Sequence, residues 1–148
     1  MTDAGRRLTK KGREEIAACA EWMAAGGLQF DRIAASPLDR AQETAAIVAR
    51  TLKIPEKMET WSVLVPGGDP DAVCREAGKY PDEYSVLLVG HEPLLSSLIA
   101  RIIAGETGAG IVMTKGALAK IRNFSYTERP SGELHWLVTA RQMAGFHH

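Results

Sequence analysis

Two hydrophobic periods alternate along this chain, and each change from one to the other marks an element boundary. Val86-Leu87-Leu88-Val89 is a short unbroken apolar run between the turn residues Tyr80-Pro81-Asp82 and Gly90. Such a run reads as a strand buried on both faces, as in a parallel sheet. Beyond it, Leu94, Leu95, Leu98, Ile99, Ile102 and Ile103 form the stripe of an amphipathic helix, with Pro93 suited to its first turn. The same succession occurs earlier. Arg32-Ile33-Ala34-Ala35 is a short strand, Ser36 a cap with Pro37 at the first helical position, and Ala41, Thr44, Ala45, Val48, Ala49 and Leu52 a helical stripe. Upstream, Thr9 caps a helix from near Lys10 whose apolar face is Ile16, Cys19, Ala20 and Met23, ended by Gly26-Gly27.

The remaining segments complete the pattern. Met58 to Leu64 holds a short strand or an irregular crossing, and Asp69 caps a helix at about Asp71 to Gly78. Ala117 to Phe124 alternates as a strand, Arg129-Pro130-Ser131-Gly132 turns, and Leu134, Trp136 and Val138 alternate as an antiparallel partner. Arg141 to His148 reads as a frayed tail.

These elements make an α/β chain that opens on a helix. An α/β sheet built by right-handed crossovers usually opens on a strand, and nothing before Thr9 has strand character. The expectation is one domain over residues 1–148, N-terminally incomplete, whose first and central strand is lost, leaving an unfilled slot and exposed strand edges.

Composition narrows the functional classes. Lys+Arg and Asp+Glu are equal at 18 each, which removes any global charge argument for nucleic acid or membrane partners. No apolar run approaches a transmembrane length, and the polar N-terminus is no signal peptide, so the cytoplasm is the expected compartment. Cys19 and Cys74 fall in helical patterns far apart and read as buried thiols, with no metal-ligand spacing around them.

Candidate chemistry gathers at the two strand-to-helix switches. His91 stands where a buried strand ends and a helix begins, the end of an open α/β sheet where ligands bind and helix N–H groups favour an anion. The alternative is a histidine that only fills or caps the junction. Arg40 lies in a first helical turn, against the helix dipole, which calls for a bound anion or a carboxylate partner. The alternative is an exposed arginine beside Asp39 or Glu43. Glu92, in a first helical turn, is explained by the helix dipole.

Taken together, three segments resemble the histidine phosphatase superfamily, of phosphoglycerate mutase-like fold, and within it the SixA-type phosphohistidine phosphatases. Arg6-Arg7-Leu8-Thr9 with Gly12 is similar to the family's Arg-x-Leu-Thr-x-x-Gly segment. Ser36-Pro37-Leu38-Asp39-Arg40-Ala41-Gln42-Glu43-Thr44 is similar to its Ser-Pro-x-x-Arg-Ala-x-x-Thr segment, and Val89-Gly90-His91-Glu92-Pro93 to its second-histidine segment. The resemblance implies a three-layer sheet with helices on both faces and a phosphate pocket lined by Arg6, Arg40 and His91. Ser36 and Glu92 would assist in binding, and Glu92 matches the position of an acid that in some branches could donate a proton to a leaving group. It implies no metal or other cofactor and a phosphohistidine-bearing protein as partner. Fixed cations suit that chemistry, because a phosphoryl group in transfer spreads negative charge over its oxygens, which guanidinium forks match.

One departure bears on activity. The family's opening strand ends in Arg-His-Gly, whose histidine takes the phosphoryl group. This chain has no Arg-His-Gly, and its other histidines are His135, His147 and His148. With no residue assignable as nucleophile, the expectation is an enzyme lineage with little turnover in these residues. A non-catalytic phosphate- or phosphoprotein-binding module is the alternative.

Overall fold

A computed structural model describes residues 7–145. Local chemistry sets the element ends. Helix α1 (Lys10–Ala25) starts at Thr9, whose hydroxyl accepts the Gly12 N–H at 3.0 Å. It stops at Gly26, and Gly27 follows with a left-handed φ of 72° that favours glycine. Strand β1 (Arg32–Ala35) leads through residues 36–38 into α2 (Asp39–Thr51). After a 3-10 turn at Pro55–Lys57 come β2 (Met58–Thr60) and a second 3-10 turn at Ser62–Leu64. Helix α3 (Pro70–Ala77) follows, capped by Asp69. Strand β3 (Val86–Val89) precedes α4 (Leu94–Ala104), and the hairpin β4 (Leu118–Tyr126) and β5 (Pro130–Val138) precedes α5 (Ala140–Ala144).

Strands β1 to β3 form a parallel sheet in the order β2-β1-β3, with Ile33 opposite Met58 on one side and Leu87 on the other. Ile33, Ala34 and Ala35 of the middle strand are fully buried. Alanine is a weak strand former, but here its small side chain lets helices close on both faces of β1. Ile33, Ala35 and Leu87 pack with Ala20 and Met23 of α1 and Ala45 and Val48 of α2. Ala34 faces the other layer, with Val73 of α3 and Leu94, Leu98 and Ile102 of α4. The hairpin is a separate antiparallel sheet. Leu118 packs into the first layer, and Ile121, Phe124 and Tyr126 into the second. The result is an α/β molecule with helices on both faces of its strands.

Several expectations are corrected. Helix α2 begins at Asp39, so Pro37 is not its first residue and Ser36 lies two residues before the cap position, Leu38. The Ser36 hydroxyl holds the approach instead, accepting the Leu38 N–H at 3.2 Å. Pro93 is the residue before α4, and Glu92 precedes it. The hairpin turns at residues 127–129, because Pro130 already pairs with Tyr126. Residues 140–144 are no frayed tail. Thr139 and Gln142 form a reciprocal capping box, and Met143 is fully buried. Strand β3 is less covered than its sequence suggests. Leu87 is buried, whereas Val86, Leu88 and Val89 are partly exposed.

Candidate functional site

The parallel register of β1 and β3 sets the site. Ala35 is opposite Val89, and the Ser36 N–H donates to the Val89 carbonyl at 2.9 Å. That pairing carries both chains out of the sheet side by side. It brings the Ser36 Oγ within 2.8 Å of His91 Nε2, although the two residues are 55 apart in sequence. Ser36 is wholly buried, the only buried polar residue among those described. His91 is half-buried, and its carbonyl accepts the Leu95 N–H in the first turn of α4.

The two adjoining helix starts differ. At α4 the Glu92 carboxylate turns back over the helix, accepting the Ser96 N–H at 3.0 Å and bonding the Ser96 hydroxyl. That anion meets the positive end of the helix dipole. No side-chain oxygen caps α2. Its first turn carries Arg40, half-buried. An uncapped N-terminus with an arginine in its first turn suits an oxyanion.

Of the two carboxylates offered by sequence beside Arg40, Asp39 and Glu43, the second is used elsewhere. Glu43 accepts the Leu8 N–H at 2.9 Å, and its oxygens lie 3.6 Å from Arg7 Nε and 3.8 Å from Arg13 Nη1. It therefore ties the segment before α1 to the second turn of α2, beside Arg40. Arg6 itself lies outside the described residues, as do His147 and His148. His135 is on β5, 3.2 Å from Glu133, and belongs to the hairpin.

The structure adds residues that pattern reading passed over. Gln42 Nε2 donates to the Ser36 carbonyl at 2.8 Å and to Thr60 Oγ1 at 3.0 Å, tying α2 to the ends of β1 and β2. Gln42 and Glu43 occupy the two unassigned positions of the Arg-Ala-x-x-Thr segment, so the motif gave no signal for either. Among the described residues no three His, Cys, Asp or Glu side chains gather in a way that could hold a metal ion. Both cysteines are buried and free.

The chain is similar to proteins of known chemistry over nearly its whole length. A model of the histidine phosphatase superfamily (branch 1) matches residues 2–64. Phosphohistidine phosphatase SixA of Escherichia coli (strain K12) is 30% identical over 140 residues, 93% of this chain and 84% of that protein. A solved structure of the protein histidine phosphatase SixA complexed with tungstate superposes with a TM-score of 0.80 at 28% identity, covering 95% of this chain and 88% of that one. A structure described as a putative phosphohistidine phosphatase SixA from Agrobacterium tumefaciens shares the fold, with a TM-score of 0.74 at 18% identity over 94% and 87% of the two chains. The chain belongs to the histidine phosphatase superfamily and is of the SixA type.

Proposed function

We propose that Ser36, Arg40 and His91, with Arg6, form the pocket for the phosphoryl group of a phosphohistidine side chain on a protein. The observation that carries this reading is the 2.8 Å contact between Ser36 Oγ and His91 Nε2, at the strand ends beside the uncapped start of α2. A tetrahedral oxyanion is the natural occupant of such a place, and a SixA structure was solved with tungstate. Guanidinium and imidazole N–H groups stabilise charge on the equatorial oxygens as the phosphoryl group moves. Glu92 is spent on the cap of α4, and a phosphohistidine leaving group needs less proton donation than an alkoxide, so Glu92 serves structure rather than acid catalysis.

The residues that hold the anion and the residue that attacks it are separable. Residues 1–148 include no Arg-His-Gly, so this chain binds phosphate and phosphohistidine peptides with little turnover.

The test is titration calorimetry with orthophosphate and tungstate, run beside hydrolysis of a phosphohistidine peptide. Binding lost at least tenfold in both Arg40→Ala and His91→Ala, without turnover, is expected. Hydrolysis abolished by His91→Ala would overturn the expected inactivity, and anion binding indifferent to both substitutions would overturn the site.

A further inference from the structure

Helix α2 carries Arg40 and Glu43 three residues apart, so both side chains leave the same face of the helix. A carboxylate one turn from an anion pocket repels the anion, and its use must outweigh that repulsion. The Glu43 side chain is only 20% exposed, and its two oxygens do different work. Oε1 accepts the Leu8 N–H at 2.9 Å and lies 3.6 Å from Arg7 Nε, whereas Oε2 lies 3.8 Å from Arg13 Nη1. Among the described residues its ion pairs go to Arg7 and Arg13 and none to Arg40.

Leu8 is held at three points. Its N–H goes to Glu43, and its carbonyl accepts Arg13 Nη1 at 2.7 Å. Its side chain lies over Gly12, where a Cβ would stand 3.6 Å from Leu8 Cδ2. Both main-chain groups of a residue outside any helix are thus taken by side chains of two helices, Glu43 of α2 and Arg13 of α1. The start of α1 does not require this, because the Thr9 hydroxyl already caps it. The grip therefore serves the chain that leads into α1. The turn it is anchored to is itself fixed: the Thr44 hydroxyl donates to the Arg40 carbonyl at 2.8 Å.

We propose that Glu43 is a positioning residue. By fixing the main chain at Leu8 against the face of α2 that carries Arg40, it sets Arg6, two residues earlier in the chain, to close on the same oxyanion. The proposal rests on the phosphoryl-pocket reading of Arg6 and Arg40. Two residues of extended chain reach about 7 Å, so a fixed anchor confines a guanidinium two positions away. Confinement is what turns a fork of donors into an oriented clamp. The oxygen that accepts from Leu8 performs this task, and the charge offsets the crowding of Arg7 and Arg13.

The experiment measures tungstate and orthophosphate affinities of the full chain by calorimetry, beside urea unfolding. Glu43→Ala is expected to weaken both anions about tenfold, against the rise that loss of a nearby negative charge gives by itself. Glu43→Gln still offers an oxygen to the Leu8 N–H and is expected to stay within twofold of the native chain. In a double-mutant cycle the effect should vanish: with Arg6→Ala in place, Glu43→Ala costs less than a further twofold. A purely structural glutamate moves the unfolding midpoint and leaves that cycle additive. Should Glu43→Ala not fold, Glu43→Met, which keeps the length and apolar packing without the oxygen, is read in its place. Affinity unchanged or raised in Glu43→Ala, an equal loss in Glu43→Gln, or an additive cycle overturns the proposal while the pocket stands. Native affinity in Arg6→Ala is instead a failure of the pocket reading itself and takes the proposal with it.

Discussion

Ser36 does two jobs with one hydroxyl. It accepts the Leu38 N–H ahead of α2 and meets the His91 ring. Ser36→Ala leaves the Leu38 N–H without that acceptor in a partly buried place, a loss of about 1 kcal/mol. The same substitution is expected to weaken orthophosphate binding several-fold, measured by calorimetry beside urea unfolding. Stability lost with affinity unchanged would reduce Ser36 to a structural role. The cysteines give a second residue-scale expectation. Burial first, and Asp71 next, push the Cys74 thiol up to about 12 from an ordinary 9.0. Burial raises Cys19 as well, and burial with the Glu59 hydrogen bond raises the Tyr80 hydroxyl. A group whose folded pKa is raised contributes stability that is complete below its unfolded pKa and lost as pH rises through the folded one. All three groups therefore act in one direction: stability is flat through neutral pH with respect to them and falls as pH rises above about 9, the Cys74 part being lost by about 12. Urea unfolding across that range checks it, with Cys74→Ala expected to flatten part of the slope. The native thiols should also resist a disulfide reagent that reacts at once in urea.

At the scale of elements, α5 shows how five residues become a helix. Its length is marginal for an isolated helix. A capping box at Thr139 satisfies its start, and the buried Met143 anchors it, with α1 as its main neighbour. Thr139→Ala is expected to cost about 1 kcal/mol and Met143→Ala about 2–5 kcal/mol, both read from urea midpoints. Equal, negligible costs would mean that α5 is loosely attached. Reading this segment as tail missed a signal that was present, because Thr139-x-x-Gln142 is the sequence form of the box. The longer elements were legible because period and punctuation agree in them: Thr9 to Gly27, Arg32 to Ala35, and Val86 to Ala104. What failed was position within junctions. Pattern puts Pro37 and Pro93 inside helices, whereas both precede them, because the backbone leaving β1 and β3 bends before it winds. The Ser36 hydroxyl and the Glu92 carboxylate hold those bends, and neither bond has a period to announce it. Sequence located His91, Ser36 and Arg40 at the strand ends, but the contact between Ser36 and His91 depends on the β1–β3 register, which no local pattern states. The engagement of Glu43 by Leu8, Arg7 and Arg13 is likewise a tertiary fact.

The whole molecule is two sheets held by shared helices. Strand β1 is bonded on both edges and fully buried beyond Arg32, whereas among the described residues β4 and β5 are bonded only to each other, with several exposed positions. What couples hairpin to core is side-chain packing: α4 against β5, Trp22 of α1 edge-on to Trp136 at 5.9 Å, and Leu118 in the first layer. Packing without a continuous hydrogen-bonded ladder lets one part open while the other stays closed, so the molecule should not behave as one cooperative unit. Native-state hydrogen exchange is expected to show β4 and β5 amides opening together at a lower free energy than Ile33, Ala34 and Ala35. Trp22→Ala should lower the hairpin value further and move the β1 value less, because Trp136 belongs to the hairpin and β1 keeps its two strand partners. A single opening free energy for all five strands would show that helix packing alone welds the halves together. Two values would instead locate the weak seam of the fold between the parallel sheet and the β4–β5 hairpin.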